Sequence, residues 1–483
     1  MKQKRVGIVG AGIAGLNAAL TLHDAGLTCD LYEASDHIGG RMHSDSTTWQ
    51  DGMVSEWCGE FIDSDHTTIR HLATRFGLSL VNLDQQGSNW SERITYFLHR
   101  YYEANELDEQ MNGLAPILRQ QMLEVGFPTT YMRHTETGYW LDNLSVYDWI
   151  ERYVEDGHRG PVGRMLDGAC TGIYGLDTPL QSSLNLVYMF GPQVAGDDGE
   201  DSEDGGEHEE STASPVQGSS KIRGGNQQLP RAIAASLPDE SLHLAYRLVA
   251  IRRESDGMIT LSFVTPSGPV ECVFDSVILT LPFSTLRHVD YQKAGFDSLK
   301  QTAIEQLGYG TISKLLLQFD TPYWYQHGTW PHPNNGFVVT DLDIQTLWDT
   351  SRGQNGPHGL LVDYTSGSRG AAYTPDAPYS TSATSERVQD YAHRCLHQLE
   401  LVFPSISSHY TGKAALSYPT GDPNLLGSYS CWRTGQYTRF AGYEGVRQGA
   451  IHFAGEHCSL RWQGYMEGAA QEGARAAQEI MQG

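Results

Sequence analysis

Positive charge is scarce in this sequence: 33 Lys and Arg stand against 58 Asp and Glu, a formal charge of −25. Phosphate-backbone binding needs a basic face, so nucleic acid is excluded as a partner. Long apolar runs are also missing, and no stretch is long enough to span a bilayer. Lys2, Lys4 and Arg5 ahead of Val6–Val9 imitate a secretory leader. The imitation fails because the apolar run is short, is cut by Gly7, Gly10, Gly12 and Gly15, and has no small-residue cleavage site. Paired cysteines are absent as well: the seven, at 29, 58, 170, 272, 395, 431 and 458, are scattered and form no C-x-x-C. A reducing, cytoplasmic setting is expected, with neither a disulfide framework nor a metal site.

What is present is a globular chain. Its 483 residues are 39% hydrophobic and 10% aromatic, with 52 Gly, too apolar for disorder and rich in tight turns. The length suits several folding units or one large multi-lobed enzyme. Residues 5 to 9 read as a buried strand, 14 to 25 as a helix and 28 to 33 as a second strand, a βαβ opening. Between Asp197 and Glu210 fall nine acidic residues, so 196–220 reads as a solvated, flexible insertion of unassigned role. Without those nine the charge is still −16; the acidity belongs to the whole chain and serves solubility first.

Gly10-Ala11-Gly12-Ile13-Ala14-Gly15 lies between the first strand and the helix. Gly10 permits the turn, Gly12 lets a pyrophosphate approach the backbone, and Gly15 lets helix and strand pack closely. The helix N-terminus then faces the phosphates. Glu33 ends the second strand, where a carboxylate accepts hydrogen bonds from an adenosine ribose.

The next residues, Glu33-Ala34-Ser35-Asp36-His37-Ile38-Gly39-Gly40-Arg41, resemble the acid-then-Gly-Gly-Arg signature of the flavin amine oxidases. Ile451 to His457 followed by Trp462 to Ala469 is similar to the closing motif of that family. The resemblance implies FAD, with Gly40 and Arg41 at the pyrophosphate, Glu456 at the ribityl chain and the Met466 backbone N–H at the flavin N1 and C2 carbonyl. A helix N-terminus there would stabilise the negative charge of the reduced ring. It further implies that Val249 meets adenine through its backbone, that Lys314 is linked through water to flavin N5, and that Tyr429 and Tyr465 flank the substrate amine. Aligned on Gly427 and Tyr429, Ser428 stands where mitochondrial monoamine oxidases carry the flavin-tethering cysteine. Non-covalent FAD is therefore expected, with Cys431 a buried small hydrophobe.

Substrate class is less sharply marked. Several L-amino acid oxidases grip the substrate carboxylate with an arginine of a Gly-x-Met-Arg motif, and here Phe61 stands at the matching place. A carboxylate would need another charge-assisted donor; Arg223, Arg433 and Arg461 are the candidates, while Glu60 could hold a cationic side chain. The style of Gly59–Leu72, of Arg223–Pro230 and of Ser428–Tyr437 is similar to bacterial L-amino acid oxidases. The expectation is an α/β fold: a discontinuous Rossmann-like FAD-binding domain (1–75, 221–290 and 420–483) and an α+β substrate-binding domain (76–195 and 291–419). The expected reaction is oxidative deamination of L-amino acids with O2, giving 2-oxo acids, ammonia and hydrogen peroxide. The alternatives are a monoamine or polyamine oxidase, and a non-oxidase flavoprotein or binding module. No membrane partner is expected, and a homo-oligomer is left open.

Overall fold

The computed structural model describes residues 4–83, 93–195 and 219–483. The acidic segment 196–218 lies outside the described residues. Of the stretch expected to be a flexible insertion, only Ser219 and Ser220 are described; both are buried, and Ser220 pairs with Asn82 in a short antiparallel ladder.

The βαβ opening is present as strand Val6–Val9, helix Ile13–Asp24 and strand Cys29–Tyr32. Val6–Val9 sits third in a five-stranded sheet, after Ile451–Phe453 and Ser276–Leu279 and before Cys29–Tyr32 and Leu242–His243. Every pairing in it is parallel. A parallel sheet is covered on both faces, which is why the strands at 6, 276 and 451 are buried at each position and, apart from Ser276 and His452, carry no polar side chain. The C-terminal helix Met466–Gln482 packs on Ile13–Asp24. Their approach is close enough that a Cβ on Gly473 would collide with the Ala14 carbonyl, and Asn17 Nδ2 donates to Ala470 O at 2.8 Å across the contact.

A second sheet is the antiparallel meander Arg247–Arg253, Ile259–Thr265 and Gly268–Phe274, with Asp290–Lys293 along its edge. The third has eight strands, and its interior strand Ser313–Phe319 is buried at all seven positions. Helix Glu386–Val402 covers one face, while Trp49, Met53 and Trp57 cover the other. Helices between Ala104 and Ala195 form a further layer, in which Trp149 is fully buried and donates from Nε1 to Gln121 Oε1 at 2.9 Å. No helix among the described residues is long and apolar enough to cross a membrane.

The large sheet buries an acid without a cation. Asp363, on Gly359–Thr365, accepts from Thr365 Oγ1 (2.8 Å) and Tyr373 Oη (3.3 Å). Burial pushes its pKa up to about 7 against the partial relief of those hydroxyls. From about pH 4, where an unfolded Asp releases its proton, up to the folded value, the unfolded state holds fewer protons and stability falls with pH. The Asp363→Asn variant is expected to show a shallower decline of Tm between pH 5 and 8 than the parent; parallel curves would show that Asp363 is ionised throughout.

Candidate active site

The first turn builds a cradle. Gly10 has φ +103° and its N–H donates to Tyr32 O at 2.7 Å. A Cβ on Gly15 would strike the Gly10 carbonyl, whereas beside Gly12 no heavy atom lies within 4 Å of where a Cβ would stand. The helix that starts at Ile13 has no side-chain cap, so its first N–H groups face the open space beside Gly12. Glu33 is aimed at the same turn. Its Oε2 accepts from Ala11 N (2.8 Å), and its Oε1 from Ser35 N and Oγ (2.9 Å each).

The Gly39-Gly40 step, at φ +108° and +54°, carries the chain past Gly12 to Arg41. Arg41 Nη1 donates to Glu456 Oε1 at 2.9 Å and to Ser428 O at 3.0 Å. Glu456 also takes Ser430 N (3.1 Å), Ser430 Oγ (2.6 Å) and Gly464 N (2.8 Å). Burial would raise the Glu456 pKa; the Arg41 charge, the neighbouring His457 and the hydrogen bonds outweigh it and hold it below the usual carboxylate range.

These elements border one cavity of about 1580 Å³. Gly10, Gly12, Glu33, Gly40, Arg41 and Val249 line it, as do Glu456 and Met466. The helix starting at Met466 likewise has no side-chain cap. Ser428 Oγ and Gln463 Nε2, on the same wall, are buried with no partner among the described residues. Two uncapped helix N-termini, an acid at a strand end and unpaired polar groups on one long cavity fit a flavin dinucleotide. Cys431 is buried against Asn185 and off the cavity wall.

Tyr429 and Tyr465 line the cavity and are drawn together by Gly464: at φ +87°, a Cβ there would press on the Tyr429 ring at 3.1 Å. Tyr429 Oη donates to Ile173 O and lies 3.2 Å from Tyr364 Oη. Tyr364 stacks obliquely on Trp348 (5.0 Å between centroids), which meets Phe61 at 5.5 Å. Tyr364, Trp348 and Phe61 all line the cavity. Sequence reasoning missed Tyr364 and Trp348, which lie far from both motifs; only their membership of adjacent strands brings them here.

Lys314 lies on the interior strand and lines the cavity, where its Nζ donates to Glu60 Oε2 (2.8 Å), Glu56 O (2.7 Å) and Cys58 O (3.3 Å). Glu60 is therefore engaged by lysine and is not a free acceptor for a cationic substrate group. Of the three arginine candidates, Arg461 lines the cavity, Arg433 lines a separate polar pocket with Arg287, and Arg223 is exposed and lines neither. Arg93 and Arg352, not singled out from sequence, do line it. No local signal marks them, since Arg93 simply precedes the strand Ile94–Phe97 and Arg352 sits in a loop.

Removing one partner of a buried ion pair strands the other charge, at a cost of about 3–5 kcal/mol. Arg41→Met is accordingly expected to lower the urea midpoint, and the Arg41→Met/Glu456→Gln pair to recover part of the loss. A midpoint unmoved by Arg41→Met would mean that the pair is absent in solution.

Comparison with known proteins agrees with this geometry. The pattern describing flavin containing amine oxidoreductases matches residues 13–481. A putative L-amino-acid oxidase of Bacillus subtilis, YobN, is 24% identical over 99% of this chain and 94% of its own length. A putrescine oxidase of Kocuria rosea is 23% identical over 99% and 95%. Among solved structures, cyclohexylamine oxidase from Brevibacterium oxydans superposes with a TM-score of 0.81 at 19% identity, covering 99% of each chain. The chain belongs to the flavin containing amine oxidoreductase family and is an FAD-dependent enzyme.

Proposed function

We propose that this enzyme oxidises L-amino acids, taking O2 and water and releasing a 2-oxo acid, ammonia and hydrogen peroxide. One observation carries the choice of substrate: the cavity holding Tyr429 and Tyr465 has the guanidinium residues Arg93, Arg352 and Arg461 on its wall. Arg352 Nε is buried with no partner among the described residues, a donor suited to a carboxylate. Relatives named L-amino-acid oxidases support the same reading. A second reading, an amine oxidase for substrates without a carboxylate, is favoured by Asp63 and Asp65. These also line the cavity, and after burial their charge contributes to the raised pKa of the Tyr465 phenol.

Bound FAD supplies the capacity to accept a hydride equivalent from the α-carbon and to pass two electrons to O2. The chain does the rest. Tyr429 and Tyr465, with Tyr364 behind Tyr429, steer a neutral amine into position. Gly10, Gly12, Gly15, Glu33, Gly40, Arg41 and Val249 would hold the dinucleotide, and the positive end of the helix at Met466 would stabilise the negative charge of a reduced flavin. Lys314 would serve the bound flavin from the cavity wall, the cofactor would be held without a covalent bond, and the expected setting is the cytoplasm. The sheet bearing the cradle and that bearing Lys314 correspond to an FAD-binding and a substrate-binding domain, with the reaction between them.

Matched pairs test the substrate. Under anaerobic conditions L-phenylalanine, L-leucine and L-arginine are each compared with the decarboxylated amine, and bleaching of the oxidised-flavin band is followed. Bleaching by at least one amino acid but not its amine is expected. Bleaching by amines alone would establish the second reading, and no bleaching by either would leave a non-oxidase flavoprotein. Acid precipitation is expected to release all the FAD into the supernatant; colour kept in the pellet would refute non-covalent binding.

A further inference from the structure

The lysine facing the cavity belongs to a larger unit. Lys221, in strand Ser220–Ile222, donates from Nζ to Glu60 Oε1 (2.7 Å), Thr350 Oγ1 (2.8 Å) and Thr350 O (3.1 Å). Lys314 takes the other oxygen of the same carboxylate at 2.8 Å. Thr350 Oγ1 also donates to Glu60 Oε1 at 2.6 Å. Both ammonium groups thus have three acceptors each, and Glu60 bridges them. The three side chains are 11%, 3% and 4% exposed for Lys221, Glu60 and Lys314.

The bridge is built into a strap. Residues 57–60 lie along the cavity; the carbonyls of Glu56 and Cys58 hold Lys314, and those of Gly59 and Glu60 accept from Asn226 Nδ2 at 3.1 and 2.8 Å. Asn226 N also donates to the Glu56 carboxyl at 2.8 Å. The segment from Lys221 to Asn226 therefore clamps the strap from one side and Lys314 from the other.

The charges do not balance. A buried pair already struggles to repay its desolvation; a second buried lysine on the same carboxylate leaves one positive charge in excess. Glu56 is not part of the triad: its two carboxyl oxygens accept from Ser44 Oγ (2.7 Å) and Asn226 N (2.8 Å), while burial pushes its pKa up to about 7 against those bonds. The Glu60 carboxyl itself is held far below its usual range, because the two lysines overcome the burial that would raise it.

We propose that Lys221 is a positioning residue of this oxidase: through Glu60 it fixes Lys314 on the cavity wall, and it leaves the triad with a net positive charge that favours the two-electron-reduced state of bound FAD. The inference rests on the reading of Lys314 as facing the flavin. A buried charge acts through low dielectric and is weakly screened by salt, so the effect persists at high ionic strength.

The test is the midpoint potential of the bound flavin, measured in the holoenzyme by chemical reduction with dithionite, together with kcat and KM. Lys221→Met is expected to shift the potential to more negative values and lower kcat at least tenfold with KM changed less than twofold, and Lys221→Arg to restore much of both. Glu60→Gln, which leaves the lysines uncompensated, is expected to shift the potential the opposite way. Unmoved potentials, or shifts of the same sign in both variants, would overturn the proposal even if Tm falls, since a strut alone changes only stability. Should Lys221→Met fail to fold, Glu60→Gln and Lys221→Arg against the parent still give the sign. Dithionite needs no substrate, so a failure to oxidise any amino acid or amine would sink the functional reading and leave the potential measurement, which alone gives the sign, intact.

Discussion

The ion pair between Arg41 and Glu456 is the joint on which the site depends. It ties the loop that follows the first βαβ unit to the closing motif more than 400 positions later, and the same guanidinium holds the Ser428 carbonyl. Glu456 then fastens Ser430 and Gly464, and Gly464 in turn seats the Tyr429 ring beside Tyr465. The contacts of Arg41 join segments that are remote in the chain, so no local preference could substitute for them. With its hydrogen-bond capacity spent inside the protein, Glu456 organises the wall of the cavity as well as bordering it.

A large cofactor cavity imposes a cost that the fold meets with glycine and with uncapped helices. The N–H groups that would otherwise be capped by side chains at Ile13 and Met466 are left facing one space. The fold tolerates this because tertiary packing, through the Gly473–Ala14 approach and the Asn17 hydrogen bond, holds the two helices independently of their caps. The two ends of the task are thereby separated: the helix ends are left open to the cavity, while the helix bodies carry the packing.

What was legible in the sequence follows the same division. The cradle was readable because Gly10, Gly12, Gly15 and Glu33 act through backbone geometry within one βαβ unit, where spacing is structure. The closing motif was readable for a similar reason, since Glu456 and Met466 lie on one turn-and-helix segment. Arg93, Arg352, Tyr364 and Trp348 were not, because they reach the cavity from separate strands and loops, nor was Lys221, which stands behind Glu60 on another strand; a strand's period of two says which face a side chain takes but not what stands opposite. Glu60 shows the limit most plainly. Its sequence neighbourhood allowed a cation-binding role, and only the fold reveals that two lysines already occupy it.

The cavity wall is electrostatically mixed where the chain as a whole is not. The chain is acidic overall at −25, while the wall sets Arg93, Arg352 and Arg461 beside Asp63 and Asp65, and pairs Arg41 with Glu456 and Lys314 with Glu60. An acidic exterior repels anions at long range, but that repulsion is screened within about 8 Å at physiological ionic strength. Under the proposed reading, a zwitterionic amino acid carries no net charge and loses little to that exterior, and inside it would meet Arg93, Arg352 and Arg461 for its carboxylate and Asp63 and Asp65 for its amino group. A bare alkylammonium would use only the acids of that set, which is why matched pairs of amino acid and amine separate the two readings.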